Sequence, residues 1–162
     1  MFDSQLEIRD MRAGEEEVLW HLFHNTIHRV NAADYDAAQR AAWSPADRDM
    51  DSWRARLQAV GPFVAVLDGQ LVGFSDLQPD GLIDFMFVHV DYQRRGVASR
   101  LMAEVERRAQ ARGLERLYAH VSLTAQPLFS RHGFEVVARK TVEVSGTAMD
   151  NYLMERKLRL QE

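Results

Sequence analysis

Residues 85–98 read Phe85-Met86-Phe87-Val88-His89-Val90-Asp91-Tyr92-Gln93-Arg94-Arg95-Gly96-Val97-Ala98. An apolar run typical of a β-strand leads into a polar loop, and apolar residues at helical spacing follow it. The first N–H groups of a helix have no partner within the helix and carry a partial positive charge. Arg94 and Arg95 add full charges at this point, and Gly96 removes the Cβ that would keep a ligand from the backbone. The segment therefore predicts a strand, a phosphate-binding loop and a helix.

The flanking segments predict a mixed α/β (α+β) fold. Alternating or continuous apolar residues indicate strands at residues 6–11, 63–67, 71–77, 82–90, 117–123, 135–145 and 149–157. Helical spacing indicates helices at residues 14–30, 34–43, 45–59, 99–112 and 125–132. We summarise the expected order as β-α-α-β-β-β-α-β-α-β-β. It corresponds to one domain spanning residues 1–162, with a mixed central sheet of about seven strands and about four to five flanking helices.

Composition excludes several classes of function. The chain has 162 residues and a net charge of −4, whereas a domain that grips nucleic acid carries a basic excess. It has no cysteine, which excludes disulfides, thiolate metal ligands and a cysteine nucleophile. The N-terminal sequence MFDSQLEIRD does not resemble a secretory signal, and no apolar run is long enough to span a membrane. We therefore expect a cytoplasmic protein.

Two motifs resemble those of a known family. Gln93-x-x-Gly96-x-Ala98, after the predicted strand, resembles the acetyl-CoA signature Q/R-x-x-G-x-G/A of the GNAT superfamily of N-acyltransferases. Further along, residues 125–134 read AQPLFSRHGF and resemble the A-x-x-F-Y-x-x-x-G-F segment of the same family. The expected element order also matches the family over essentially the whole chain.

The resemblance implies direct transfer of an acetyl group from acetyl-CoA to a primary amine of a small molecule or peptide. The transfer takes place in a ternary complex, with no metal. Backbone amides near residues 94–99 would bind the pyrophosphate. The Val88 backbone would hold the pantetheine and polarise the thioester carbonyl, which makes Val88 a catalytic candidate. The implied cofactor-binding residues are Phe87, Val88, Val90, Gln93, Arg94, Arg95, Gly96, Val97, Ala98, Ser99, Ser122 and Phe129.

The sequence departs from the family pattern at two positions. Phe129 stands where the family usually has the tyrosine that protonates the leaving thiolate, and its side chain has no proton to donate. Ser122 stands where an asparagine is common. Protonation of the thiolate is therefore left to water, to the acceptor's own proton, or to a group such as Tyr118, His120 or Tyr152.

Asp84 is the candidate general base. It is the carboxylate within the apolar run Leu82-Ile83-Asp84-Phe85-Met86-Phe87, near the place where some GNAT enzymes keep a catalytic glutamate. An amine must lose a proton before it attacks a thioester, and burial makes a carboxylate a stronger base. The alternative is that Asp84 only hydrogen-bonds the backbone or an arginine.

Histidines give two further hypotheses. His120 lies close to Ser122 on a predicted strand, where it could act as a base or relay on the acceptor cleft or could be a satisfied core histidine. His21, His24 and His28 share one helix face because they are spaced by three and four residues. A polar outer helix face explains this spacing better than metal ligation does.

The acceptor-binding candidates are His28, Tyr35, Gln39 and Trp43. The resemblance implies that the first two helices and their loop form the roof of the amine site. Tyr35, Gln39 and Trp43 fall near one face of a short helix, and two amphipathic rings suit the wall of a ligand site. The alternative is that the aromatic rings pack this helix onto the sheet.

Two functions from different classes are consistent with these features. The first is an acetyl-CoA-dependent N-acetyltransferase, and the second is a non-catalytic acyl-CoA-binding or sensing module with the same fold, which Phe129 favours. The expected partners are acetyl-CoA and an amine, with no nucleic acid and no membrane. The exposed edges of the C-terminal strand pair also predict a homodimer.

Overall fold

The computed structural model describes residues 5–159, so the first four and last three residues of the expected domain lie outside it. Seven strands and five α-helices confirm the expected α/β class. The strands are β1 Leu6–Asp10, β2 Phe63–Leu67, β3 Gln70–Ser75, β4 Met86–Val88, β5 Arg116–Ser122, β6 Glu135–Val144 and β7 Thr147–Lys157. The helices are α1 Glu16–Arg29, α2 Ala37–Trp43, α3 Met50–Val60, α4 Val97–Ala111 and α5 Gln126–Arg131.

The strands form two antiparallel sheets that meet at one point. The first sheet has the order β1-β2-β3-β4 and the second has the order β5-β7-β6. A single parallel bridge joins Leu82 to Tyr118, where the Tyr118 N–H donates to the Gly81 carbonyl and the Ile83 N–H donates to the Tyr118 carbonyl. Beyond this bridge β4 and β5 are not paired, so the parallel part of the expected mixed sheet is limited to the bridge.

Three expected features are wrong in detail. Three helices separate β1 from β2, as the helical spacing over residues 14–59 predicts, although the summarised order counted two. Of the strand expected over residues 82–90, only residues 86–88 form β4, because the Asp76 carboxylate binds the N–H groups of Asp84 and Phe85. In the C-terminal strand pair, β7 lies between β5 and β6, so only β6 presents a free edge. That edge is compatible with a homodimer, which stays a prediction.

Helices cover both faces of the first sheet. The expected α1 stripe is confirmed, because its residues Leu19, Phe23 and Ile27 are buried against Trp53 and Leu57 of α3. On the other face, α4 buries its own apolar stripe, listed as Val97, Leu101, Met102, Val105 and Ala109. Within residues 5–159, no helix is both long and apolar enough to cross a membrane.

Candidate active site

A cleft of about 560 Å³ opens where β4 and β5 diverge. The predicted site residues that line it are Asp84, Phe87, Val88, Gln93, Arg94, Gly96, Val97, Ala98, Ser99, His120, Ser122, Phe129, Tyr35 and Trp43. Val90, Arg95, His28 and Gln39 are absent from its lining, so the expectation that these four contact a ligand in the cleft is not supported. The fold thus brings most of the predicted site together from segments far apart in sequence.

Val88 presents backbone groups to the gap between the sheets. His89 on one side of it donates its N–H to the Val72 carbonyl of β3. Hydrogen-bonding direction alternates along an antiparallel strand, so the N–H and carbonyl of Val88 point away from β3. The carbonyl already accepts from Thr26 Oγ1 at 2.9 Å and from Gln93 Nε2 at 2.7 Å. Both lone pairs of the Val88 carbonyl oxygen therefore accept hydrogen bonds within the protein. The backbone group of Val88 that can still bind a ligand is its N–H, which can donate to a carbonyl oxygen.

The loop before α4 forms a cradle for an anion. Arg94 and Gly96 both have positive φ, at 58° and 86°, and Gly96 is the N-cap of the 15-residue helix without any side-chain cap. The first amides of α4 therefore face the cleft beside the Arg94 side chain. Arg95 turns elsewhere, because its guanidinium stacks 5.0 Å from the Tyr92 ring and donates to the Asp91 carbonyl. The geometry suits phosphate groups.

Asp84 lines the cleft but is not buried, which corrects the expectation of an apolar surrounding. Its side chain is 35% exposed, and its Oδ2 lies 3.4 Å from Nη2 of Arg56. The Arg56 guanidinium in turn stacks 4.4 Å from the Phe85 ring. Asp84 lies between the Leu82–Tyr118 bridge and β4, where the two sheets separate, and its side chain lines the cleft.

Asp76 is the buried carboxylate of this region, and the sequence analysis missed it. It is fully buried, accepts from the N–H groups of Asp84 (3.0 Å) and Phe85 (2.6 Å), and accepts from Nε2 of Gln78. Burial raises its pKa to about 6, although these hydrogen bonds oppose the rise. The hydrogen bonds from the backbone of Asp84 and Phe85 to Asp76 fix the position of Asp84, the candidate base. A Ser-Asp pair inside the apolar run 71–77 was the available signal.

Asp76→Asn is expected to become more stable relative to the parent protein as the pH rises. A raised pKa means that the folded state binds this proton more tightly, so the stabilisation from Asp76 is present below about pH 4 and is lost as pH rises through about 6. A rise from 3.8 to about 6 corresponds to on the order of 3 kcal/mol. Urea unfolding of both proteins between pH 4 and pH 7 measures the difference.

Asp80→Asn is the control for that experiment. A hydrogen bond from Tyr118 lowers the pKa of Asp80, so Asp80 is already ionised in the folded protein throughout this pH range. Asp80→Asn and the parent protein are therefore expected to show nearly parallel pH dependence between pH 4 and pH 7. If Asp76→Asn and the parent protein show parallel pH dependence, the assignment of a raised pKa to Asp76 is wrong.

His120 projects from β5 into the cleft and is an exposed residue rather than a core histidine. Its Nδ1 lies 2.6 Å from Nζ of Lys140 on β6. Burial and the Lys140 charge lower the pKa of His120, while Asp84 across the gap acts in the opposite direction. An ammonium can only donate, so Nδ1 accepts and the proton of the neutral ring lies on Nε2. Lys140 was not identified from the sequence.

Lys140→Met is expected to raise the pKa of His120, because removal of a neighbouring positive charge favours the imidazolium. A two-dimensional NMR titration of the imidazole signals measures this pKa directly. Lys157→Met, at the end of the adjacent strand β7, is the matched control and should leave the titration unchanged. An unchanged His120 titration in Lys140→Met would show that this contact does not form in solution.

The four acceptor candidates divide into two pairs. Tyr35 and Trp43 line the cleft, with ring centroids 5.6 Å apart. Tyr35 also supports the fold, because its hydroxyl donates to the Asp150 carbonyl at 2.6 Å and accepts from the Leu123 N–H. Gln39 closes a capping box at the start of α2 and donates to the Ala148 carbonyl. His28 binds the Ser44 carbonyl through Nε2, so both residues hold the roof in place.

Of the two remaining histidines of α1, only His24 packs against the segment that follows α2. His24 stacks on Trp20 with centroids 4.6 Å apart, and its Nδ1 lies 2.7 Å from the Ser44 hydroxyl. His21 is exposed. Within the described part of the chain, no group of three or more histidine, aspartate or glutamate side chains is arranged to hold a metal ion.

Comparison with known proteins identifies the family. The family model described as an acetyltransferase (GNAT) domain matches residues 31–156. The chain belongs to the GNAT acetyltransferase family. YafP, an uncharacterised N-acetyltransferase of Escherichia coli strain K12, is 30% identical over 154 residues, which cover 95% of this chain and 97% of YafP.

Solved GNAT structures have the same fold. A GCN5-related N-acetyltransferase from Rhodopseudomonas palustris is 33% identical, with a TM-score of 0.89 over 94% of this chain and 95% of that one. YncA of Salmonella typhimurium, a putative acetyltransferase solved with acetyl-CoA, is 18% identical, with a TM-score of 0.68 over 96% of this chain and 95% of that one. The second likeness shows the fold alone.

Phe129 and Ser122, the two residues that depart from the GNAT pattern, both make contacts that support the fold. Phe129 is buried at the base of the cleft and packs edge-on against Phe134, with centroids 5.1 Å apart. Ser122 accepts from the Ala125 N–H at 3.1 Å and caps the turn before α5. Among the alternative proton donors, Tyr118 binds Asp80, and neither Tyr118 nor Tyr152 lines the cleft. His120 is the one of the three that does.

Proposed function

We propose that this GNAT protein transfers an acetyl group from acetyl-CoA to a primary amine by direct attack in a ternary complex. The observation that carries the proposal is the arrangement of one continuous cleft. It has the anion cradle before α4, the outward N–H of Val88, and the side chains of Asp84 and His120. The acetyl-CoA in the structure of Salmonella YncA supports the choice of donor. We also propose a cytoplasmic location.

The residues of the cleft suit acetyl-CoA. The amides of residues 96–99 and the Arg94 guanidinium would hold its phosphates, since both attract negative charge at a helix N-terminus. The Val88 N–H would donate to the thioester carbonyl, an interaction that strengthens as negative charge develops on that oxygen. Acetyl-CoA supplies the activated acyl group, and the chain supplies position and electrostatics.

Asp84 accepts a proton and His120 donates one in this mechanism. An alkyl ammonium ion gives one proton to Asp84, the free nitrogen forms the new N–C bond, and the C–S bond breaks. The sulfur receives a proton either from water or from Nε2 of His120, whose Nδ1 takes a proton from the Lys140 ammonium in the same step. The second nitrogen proton is returned through water to the group that supplied the sulfur. The products are an N-substituted acetamide and coenzyme A with a free thiol, so the electrons and protons balance.

A non-catalytic acyl-CoA-binding module is the second candidate. Phe129 favours it, because the family's usual acid is replaced by a side chain that cannot donate a proton. Release of free thiol from acetyl-CoA across a panel of amines and peptides separates the two functions. The protein has no cysteine, so a thiol reagent reports only coenzyme A. If no amine or peptide of the panel causes thiol release but the protein binds acetyl-CoA, the non-catalytic module is favoured.

Gly96→Ala is expected to weaken acetyl-CoA binding at least tenfold. The φ of 86° is strained for alanine, and a shift of the loop would misplace the amides of the cradle. Gly113→Ala is the matched control, because Gly113 follows the C-terminus of the same helix with a φ of 66° and equally open space around its Cβ. Isothermal titration calorimetry measures both. Equal affinities in the two variants would contradict the assignment of the cradle.

A further inference from the structure

The part of the cleft next to Asp84 and His120 has an apolar wall, which we call the acceptor pocket. It is formed by Trp43, Phe87, Val142, Val144 and Met149, from α2, β4, β6 and β7. Trp43, Phe87, Val142 and Val144 are only partly buried, so they keep apolar surface that no other part of the described chain covers. Exposed apolar surface inside a cleft is stabilised when an apolar ligand covers it.

Helix α2 and Tyr35, which precedes that helix rather than lying on it, are hydrogen-bonded to the opposite wall of this pocket. The Tyr35 hydroxyl donates to the Asp150 carbonyl of β7 at 2.6 Å, and Gln39 Nε2 donates to the Ala148 carbonyl at 3.1 Å. The Trp43 ring lies edge-on to Phe87 with centroids 6.3 Å apart, and Phe87 packs on Phe23 at 4.7 Å. The aromatic wall is therefore held at a set distance from the valines of β6.

The charges of the cleft are unsuited to a polycation. Arg94 and Arg131 line the cleft beside the helix termini at the coenzyme end, and Asp84 is paired with Arg56. The carboxylate of Asp150 is bound by Arg139 and Thr141. A substrate with several positive charges would meet two carboxylates, Asp84 and Asp150, that each already have an arginine partner, so electrostatics favour an acceptor with a single amine.

We propose that the acceptor is a single primary amine carried on an apolar group about the size of an aromatic ring. The apolar group lies in the acceptor pocket, and the amine faces Asp84 and His120. The inference rests on the proposed acetyl transfer and specifies its substrate class.

The test compares three acceptors at saturating acetyl-CoA by thiol release. They are 2-phenylethylamine, ethylamine, which lacks the ring, and spermidine, which is a polycation. We expect kcat/KM for 2-phenylethylamine to exceed both others at least tenfold. Trp43→Ala should raise KM for 2-phenylethylamine at least tenfold with little change for ethylamine, and Trp43→Phe should retain most of the preference. A preference for spermidine or ethylamine, or an equal loss for all three amines, overturns the proposal.

A second pair of variants tests the pocket without changing the roof, in case Trp43→Ala acts by misfolding it. Val142→Ser removes apolar surface from the opposite wall, and Val136→Ser changes an exposed valine of the same strand outside the cleft. Only the former should raise KM for 2-phenylethylamine. Calorimetry with coenzyme A shows whether a negative result contradicts only the substrate class or the proposed acetyl transfer as well. If coenzyme A binds but 2-phenylethylamine neither binds nor reacts, the substrate class is wrong. If coenzyme A does not bind, the proposed function itself is wrong.

Discussion

Asp84→Asn is expected to lower kcat at least 100-fold while leaving the affinity for acetyl-CoA unchanged. General base catalysis contributes about 10²–10⁴-fold, and an amide cannot accept a proton from an ammonium ion. The carboxylate lines the cleft and lies beside the opening between the sheets, whereas the anion cradle lies on the separate loop before α4. Steady-state thiol release gives kcat, and calorimetry gives the affinity for acetyl-CoA.

Arg56→Met decides whether the effect of Asp84 is chemical or structural. Arg56 is the ion-pair partner of Asp84 at 3.4 Å. If Asp84 matters only for that pair, both substitutions should reduce kcat equally. If Asp84 is the base, Arg56→Met should cost far less, because the carboxylate stays. Turnover that survives in Asp84→Asn would remove the residue from its assigned role.

Gly81→Ala is expected to destabilise the fold by about 3 kcal/mol or more, which corresponds to a fall in Tm of about 6–12 °C or more. A Cβ at residue 81 would overlap the backbone carbonyl oxygen of Arg116, and the φ of 97° is itself unfavourable for alanine. Gly81 also accepts the Tyr118 N–H at 3.0 Å, within the bridge that joins the two sheets. The overlap is between backbone atoms, so it cannot be relieved by a side-chain rotation.

Gly14→Ala separates the overlap from the unfavourable φ. Gly14 has a φ of 95°, close to that of Gly81, but nothing lies within 4 Å of its added Cβ. Its substitution should cost about 1 kcal/mol, the cost of the backbone conformation alone. Calorimetric Tm values of the two variants and the parent protein are the measurement. Equal shifts would mean that the sheets separate at the bridge to accommodate the methyl group.

Much of the candidate site could be predicted from local sequence. The strand, loop and helix around residues 85–98 are encoded by neighbouring residues, so the positive φ of Gly96 and the exposed amides of α4 follow from the pattern itself. The apolar stripes of α1 and α4 likewise follow from helical spacing. These features depend on interactions within a few residues.

The surroundings of Asp84 could not be predicted in the same way. The apolar run of residues 82–87 indicated a continuous strand, but the Asp76 carboxylate competes for the N–H groups of residues 84 and 85. A side chain eight residues away thus interrupts the strand and leaves Asp84 exposed. Asp76 and Asp84 both stand in apolar runs, so the sequence pattern does not indicate which of the two carboxylates is buried.

The sequence by itself determined the family, the element types and the anion cradle, because short-range backbone geometry and periodicity encode them. The tertiary structure alone decided which side chains meet across the gap between the sheets. Lys140 reaches His120 from another strand, Trp43 meets Phe87 across the roof, and Val88 points its N–H into the cleft because β4 is a sheet edge. Such contacts depend on strand register and on the single bridge between the sheets, which join residues that are distant in the chain.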